Sequence, residues 1–381
     1  MTKKIPEIRF AGFSGEWEEK KLGDFGTVQM NKRIYKKETS ENGEIPFYKI
    51  GSFGSKADTF ISRELFEEYK EKYPYPEIGA LLISASGSIG KVVEYKGEEA
   101  YFQDSNIVWL DHDDRISNKF LKQFYQVVRW DGIEGTTIKR LYNKNILSTK
   151  IRYPKIEEQE KTGELFEVLD ACLEDQAVYV ETLKKSKKAF LQKLFPQKGA
   201  KAPELRFPGF DGDWEVKKLG EFTDIRTGNK DVKDNDEDGE YPFFVRSNNM
   251  LKISTYSYDG EAILIPGDGN IGDVYHYING KFDWHQRVYK ISDFEETSGV
   301  YIYYYLQKFF KRHAMKNSVK ATVNSLRLPT IKNFKIFLPS LAEQEKIGSF
   351  FKALDYKIEK EEDKLESFER LKTALLQKVF V

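Results

Sequence analysis

The chain has 381 residues, of which 40% are hydrophobic and 32% charged, a composition that predicts two or three folded domains. Its 61 basic and 61 acidic residues give no net charge, which argues weakly against a general attraction to nucleic acid. The single cysteine excludes an internal disulfide, no Cys/His spacing predicts a metal site, and no apolar run predicts a signal or a membrane span, so we expect a cytoplasmic protein.

The first predicted element is a head segment, residues 6–25, with the sequence PEIRFAGFSGEWEEKKLGDF. It returns at residues 203–222 as PELRFPGFDGDWEVKKLGEF, identical at 14 of 20 positions without a gap. Chance does not produce such a match. The sequence therefore predicts a chain built from two copies of one plan.

A body of mixed α/β character follows each head segment. Short apolar runs bounded by turn residues predict strands, and one amphipathic stretch per body predicts a helix. The predicted strands are 80–84, 91–95, 106–110, 262–266, 273–277 and 288–291, and the predicted helices lie near 118–129 and 298–311. The bodies are much less alike than the head segments, so we expect one scaffold that presents two different surfaces.

Each body is followed by a long helix, and residues 154–195 match residues 339–380 at 17 of 42 positions. Apolar residues recur in both with a period of 3.5, which is typical of a coiled-coil seam. Polar residues interrupt both seams at aligned positions, Gln176 with Glu361 and Lys187 with Lys372, and can fix the register. The predicted seam residues are Phe166, Leu169, Leu173, Val180, Leu183, Phe190, Ile347, Phe351, Leu354, Ile358, Leu365, Phe368 and Leu375.

Two exposed seams in one chain most simply bury each other. We therefore predict an antiparallel helix pair with an approximate two-fold axis, one body at each end, and a fixed distance between the bodies. The predicted division is residues 1–153 and 197–338 for the domains, and residues 154–196 and 339–381 for the helices. The alternative is an ordinary helical hairpin inside one large domain.

The sequence offers no positive case for a catalytic centre. Gly267–Gly272 matches G-x-G-x-x-G, but a strand-like run follows where a dinucleotide fingerprint needs a helix, which favours a turn between strands. The four histidines lack metal-ligand spacing, and paired acids are typical of solvated surface. We therefore expect neither a catalytic residue nor a bound metal.

Basic and amide side chains cluster at equivalent places in both bodies. Arginine and asparagine can read guanine and adenine edges, while lysine mostly neutralises phosphate. Any one cluster is typical of solvated surface, but matching clusters make DNA contact an equal alternative. The candidate DNA-binding residues are Lys32, Arg33, Lys36, Lys139, Arg140, Asn143, Lys144, Arg226, Asn229, Lys230, Lys316, Lys320, Asn324 and Arg327.

The head motif R-F-x-G-F-x-G-x-W, the E-Q-E-K start of both helices, the G-x-I-G turns and the duplicated layout resemble the specificity subunit of type I restriction–modification systems. The motifs lie at Arg9–Trp17, Arg206–Trp214, Glu158–Lys161, Glu343–Lys346, Gly87–Gly90 and Gly269–Gly272. The resemblance implies that each body is a target recognition domain for one half of a bipartite, asymmetric DNA sequence.

The same resemblance implies partners and cofactors. The helices would set the half-site spacing and dock two methylation subunits, which methylate adenine, and two restriction subunits. S-adenosylmethionine, ATP and Mg²⁺ would be bound by those partners, so that this subunit alone would be no enzyme. Two other hypotheses stay open: a bivalent protein-binding scaffold that touches DNA only nonspecifically, and a nucleic-acid enzyme with an unrecognised site.

Overall fold

The computed structural model describes residues 5–130, 140–197, 199–317 and 325–380. The chain divides into two compact units. Unit 1 comprises residues 1–176 and 364–381, and unit 2 comprises residues 177–363. Each unit therefore contains one body, part of the first long helix and part of the second.

The body of unit 1 consists of two small sheets and a separate strand pair. The elements are β1 Glu18–Lys21, β2 Gly26–Gln29, β3 Ile45–Tyr48, β4 Phe60–Ile61, α1 Arg63–Lys72, β5 Leu81–Ser84, β6 Val92–Glu94, β7 Tyr101–Phe102, β8 Ile107–His112, α2 Asn118–Val127, α3 Asn143–Ser148, β9 Lys150–Tyr153 and α4 Ile156–Lys193. Strands β2, β8, β5 and β6 form an antiparallel sheet in that order, and β3 lies between β4 and a parallel β7. Strand β1 pairs with β9 immediately before the long helix.

The body of unit 2 has one larger sheet of six strands in the order β11-β16-β14-β15-β12-β13. Strand β10 pairs with β17 before the second long helix, as β1 does with β9 in unit 1. The elements are β10 Glu215–Lys218, β11 Asp224–Thr227, β12 Tyr241–Phe244, β13 Met250–Ile253, β14 Tyr258–Pro266, β15 His276–Trp284, β16 Val288–Ser292, α5 Gly299–Asn317, α6 Leu328–Lys332, β17 Lys335–Leu338 and α7 Leu341–Val379.

The mixed α/β class, the internal repeat and both long helices are confirmed. One strand prediction is wrong in its bounds: residues 273–275 are not in a strand, because the turn continues through Asp273 and β15 begins only at His276. The G-x-G-x-x-G segment is a turn, as predicted. Its last glycine, Gly272, has φ +75°, and an added Cβ would lie 2.6 Å from the Cα of Lys311 in α5. Glycine is thus needed both for the backbone conformation and for the close approach of the helix.

The head motif and the E-Q-E-K motif bind each other in both units. Arg9 forms a two-bonded ion pair with Glu158, with both N···O distances 2.7 Å, and donates to the carbonyl of Gly15. Arg206 does the same with Glu343, at 2.8 and 2.7 Å, and with the carbonyl of Gly212. The two carboxylate side chains are only 3% and 1% exposed. The arginine therefore fixes the loop that contains the head motif onto the start of the long helix.

The glutamine of the same motif positions the amphipathic helix of each body. Gln159 accepts from the backbone N of Ser117 at 2.9 Å, just before α2, and Gln344 accepts from that of Ser298 at 3.1 Å, just before α5. Both glutamines also donate to the proline carbonyl that precedes their own helix. The repeated motifs thus build the frame of each unit and leave its exposed loops free to differ.

Antiparallel pairing of α4 with α7 is confirmed within each unit. In unit 1, Lys372 of α7 binds Asp170 of α4 at 2.5 Å, and in unit 2, Lys187 of α4 binds Asp355 of α7 at 2.5 Å. These two ion pairs are equivalent in the repeat, and each uses the lysine that interrupts a seam. Every predicted seam residue, from Phe166 to Leu375, is buried or half-buried. None of the described helices combines the length and apolarity that a membrane span requires.

Candidate nucleic-acid interface

The same backbone arrangement joins three loops in each unit. In unit 1, the backbone N of Ala85 donates to the carbonyl of Asn106 at 2.7 Å, and the N of Leu141 donates to the carbonyl of Ala85 at 2.8 Å. In unit 2, the N of Gly267 donates to Arg287 and the N of Leu326 donates to Gly267, both at 2.7 Å. We call residues 85–90, 104–106 and 140–144 the first junction, and residues 267–272, 285–287 and 325–327 the second junction.

The side chains of the first junction form a compact polar network. Arg140 donates through Nη2 to Asn106 Oδ1 at 2.9 Å and to Ser105 Oγ at 3.2 Å. Ser86 donates to the same Oδ1 at 2.8 Å. Arg33 binds Asp104 at 2.8 Å, and this hydrogen bond and charge raise the pKa of Arg33. The structure thus brings two predicted residues, Arg33 and Arg140, to one loop.

An open groove runs along the first junction, with a volume of about 530 Å³. Arg140, Tyr142, Asn143 and Lys144 line it together with Met30. The ring of Tyr142 is 43% exposed, and the ammonium group of Lys144 lies 5.8 Å from its centre. A cation, an amide and an exposed aromatic face are the groups that contact phosphates and bases.

In the second junction, one carboxylate holds two arginines. Asp268 accepts from Arg246 Nη1 at 2.9 Å and from Arg287 Nη1 at 3.0 Å. Burial alone would raise the pKa of Asp268, but these two hydrogen bonds outweigh it and hold the pKa below its usual value. The carboxylate is therefore charged at neutral pH, and the three groups together carry one net positive charge.

Three predicted residues of unit 2, Lys230, Arg327 and Asn229, lie in or next to the second junction or the segment that pairs with it. Lys230 pairs with His285, and its carbonyl accepts from the backbone N of Gln286 at 2.8 Å. Arg327 is exposed and directly follows Leu326 of the junction. Asn229 is exposed next to Lys230.

Other predicted DNA-binding residues lie away from the hydrogen-bond networks of the two junctions. Arg226 is 74% exposed on β11 and binds Asp224 of its own strand at 2.9 Å. Lys32 lies 5.0 Å from the ring of Tyr73, and Lys36 is exposed in a short helical turn. Lys316 is exposed in the last turn of α5. Lys139, Lys320 and Asn324 lie outside the described residues.

A family model described as the type I restriction modification DNA specificity domain matches this chain twice, at residues 14–177 and 211–370. The chain belongs to that family. The repeat that the sequence predicted is thus a repeat of the specificity domain, and the predicted resemblance is confirmed.

Several similar proteins are named as type I restriction enzyme specificity subunits. A putative type I restriction enzyme specificity subunit of Haemophilus influenzae is 55% identical over 141 residues, which is 37% of each chain. The EcoDI specificity subunit of Escherichia coli is 29% identical over 42% of this chain and 35% of its own. These two matches therefore span little more than a third of each relative. The MjaVIII specificity subunit of Methanocaldococcus jannaschii is 22% identical over 95% of this chain and 91% of its own.

Solved structures support the specificity-domain fold over the whole chain. The S subunit of a type I system from M. genitalium covers 99% of both chains with a TM-score of 0.66 and 17% identity. A chain from a study of complex assembly and conformational transition of the type I system covers 96% of this chain and 97% of its own, with a TM-score of 0.54 and 16% identity.

Sequence reasoning missed three residues in or bound to the junctions of this specificity-family chain: Arg246, Arg287 and Tyr142. The two arginines do not belong to basic runs, so a search for clusters passed over them. Arg287 is equivalent to Asn106 in the repeat, because Asn106 directly precedes β8 and Arg287 directly precedes β16, and the carbonyls of both accept the first hydrogen bond of their junction. That equivalence is the signal that could have found it. Among the described residues, no group of three His, Cys, Asp or Glu side chains could hold a metal ion.

Proposed function

We propose that this chain is the DNA specificity subunit of a type I restriction–modification complex, in which each junction reads one half of a bipartite, asymmetric target. The carrying observation is that one backbone arrangement presents different side chains in the two units. Ser86, Asn106 and Arg140 form the first set, whereas Asp268, Arg246 and Arg287 form the second. Two junctions that share a backbone arrangement but present different side chains are expected to recognise different half-site sequences.

The long helices are proposed to set the half-site spacing and to dock two methylation and two restriction subunits. Apolar side chains that do not belong to the seam support this role. Val168, Val178 and Tyr356 are 61–64% exposed and Leu371 is 49% exposed. The chain is proposed to be non-catalytic, with S-adenosylmethionine, ATP and Mg²⁺ bound by its partners in the cytoplasm.

Exchanging residues 26–150 for the same region of a relative is expected to change one half of the target and leave the other half intact. The reason is that the exchanged segment contains the whole first junction but none of the frame residues Arg9, Glu158 and Gln159. Sequencing of methylated adenines in cells with the exchanged chain measures both halves. A change in both halves would contradict separate reading by the two units.

The rival hypothesis is a bivalent protein scaffold with only nonspecific DNA contact. Under the proposed function, binding to the preferred duplex should fall steeply with salt and should still exceed binding to a scrambled duplex of equal length at every salt concentration. Fluorescence anisotropy with both duplexes measures this difference. Equal affinity for the two duplexes would favour the scaffold, and turnover of DNA by the purified chain would favour an enzyme.

A further inference from the structure

Asp268 of the second junction binds two arginines, Arg246 and Arg287, whose other guanidinium N–H groups have no hydrogen-bond partner among the described residues. Each arginine gives only Nη1 to Asp268, so that Nε and Nη2 of both are left as donors. The side chains of Arg246 and Arg287 are 44% and 62% exposed, while Asp268 is 14% exposed. A half-buried acid thus fixes two donor forks that face the surface.

The backbone behind Arg287 is also fixed. His285 Nδ1 accepts from the backbone N of Arg287 at 3.0 Å, and the imidazole side chain is only 4% exposed. Burial, together with the positive charge of Arg246, lowers the pKa of His285, so the ring is neutral and can accept at neutral pH. A fixed backbone and a fixed guanidinium lose less freedom when they bind a ligand than a free arginine does.

We propose that Arg246 and Arg287 read guanine in the second half-site, and that Asp268 is their positioning residue. This inference rests on the proposed function and assigns base-reading residues to it. A planar fork of two N–H donors matches the O6 and N7 acceptors of guanine in the major groove. Adenine, cytosine and thymine do not present two adjacent acceptors there.

A phosphate contact is the other use of an arginine pair, and the charges argue against it here. Asp268 cancels one of the two positive charges, which weakens phosphate neutralisation but does not weaken directional hydrogen bonding. In the first junction Ser86 stands where Asp268 stands in the repeat, and the acid of that junction, Asp104, binds one arginine, Arg33, rather than two. We therefore expect the guanine-reading pair only in the second half-site.

The test is selection of bound duplexes from a library of randomised double-stranded DNA by the full-length chain, followed by sequencing. Wild type is expected to enrich a bipartite sequence with guanine in one half. Arg287→Gln and Arg246→Gln should each relax a guanine position by roughly 10- to 100-fold and leave the other half unchanged. Lys281→Gln is the matched control, because it removes an exposed positive charge from the same unit.

Asp268→Asn tests whether Asp268 positions the two arginines for base contact or only changes the net charge of the junction. The substitution raises the net positive charge, so binding to unselected DNA should stay equal or increase while the guanine preference falls. A merely structural role would instead lower all binding together with the thermal stability of the chain, which a melting curve records. Asp268→Asn with unchanged base preference would overturn the positioning role.

The outcomes for the arginines are equally distinct. Uniform weakening on all sequences in Arg287→Gln would overturn base reading in favour of phosphate contact. If the bipartite DNA sequence that the wild-type chain enriches has no guanine in either half-site, the inference is overturned while the proposed function stands. No bipartite enrichment by wild type would count against the proposed function itself.

Discussion

Arg206→Leu is expected to destabilise unit 2 by about 3–5 kcal/mol, because it leaves the carboxylate of Glu343 buried without its partner. The carboxylate side chain is 1% exposed, and both of its oxygens accept from Arg206. The substitution also removes donors from the carbonyls of Asp211 and Gly212. Urea unfolding followed by tryptophan fluorescence measures the loss, since Trp214 lies in the same head motif.

Two further variants show whether burial causes the effect. Arg206→Leu combined with Glu343→Leu should recover part of the lost stability, because an apolar pair leaves no buried charge. Arg226→Leu removes an arginine from a solvent-exposed pair and should cost less than about 1 kcal/mol. Equal losses in Arg206→Leu and Arg226→Leu would show that the repeated ion pair does not hold the frame.

Phe195→Ala is expected to cost about 3–5 kcal/mol of unfolding free energy, as a large cavity in a packed aromatic core does. Phe195 is fully buried and stacks on Phe351 with ring centres 5.9 Å apart and planes 5° apart. The rings of Tyr301 and Tyr305 each lie 5.5 Å away. The end of α4 is thereby fixed to both α5 and α7 in unit 2. Differential scanning calorimetry or urea unfolding measures the change.

The repeat supplies a matched variant for this prediction. Phe380 is the equivalent residue in unit 1, where it contacts Trp17 at 6.4 Å and Phe120 at 5.0 Å but is only half-buried. Phe380→Ala should therefore cost clearly less than Phe195→Ala, because water can fill part of the space. Equal losses would mean that burial at these two helix ends does not decide their contribution.

Periodicity and self-similarity were enough to predict the frame. The 3.5-residue period is a local pattern that occurs twice in one chain, and two such apolar seams were enough to predict that the helices pair. The partner of the head motif could not be predicted in the same way. Arg206 and Glu343 are 137 residues apart, and neither the head motif nor the E-Q-E-K motif contains a pattern that predicts their contact. The strand predicted at residues 273–277 begins only at His276, because apolar Val274 is buried in the loop that joins the turn to β15.

The candidate site was predictable only where basic residues are clustered in sequence. Arg33 and Arg140 were found, and the structure joins them through the loop of Asp104 and Asn106. Arg246 and Arg287 are isolated in the sequence, and only the fold brings both to Asp268. Lys139, Lys320 and Asn324 lie outside the described residues, so their prediction stays a prediction.

The equivalent ion pairs Lys372–Asp170 and Lys187–Asp355 have a consequence for a chain of half the length. The first half of the chain already contains one member of each pair, Asp170 and Lys187, at the spacing that its own duplicate requires. A chain of half the length would therefore be self-complementary as a homodimer, and under the proposed function two identical copies would bind an inverted repeat. Joining the two halves in one chain leaves each half free to change its own half-site while the other stays the same.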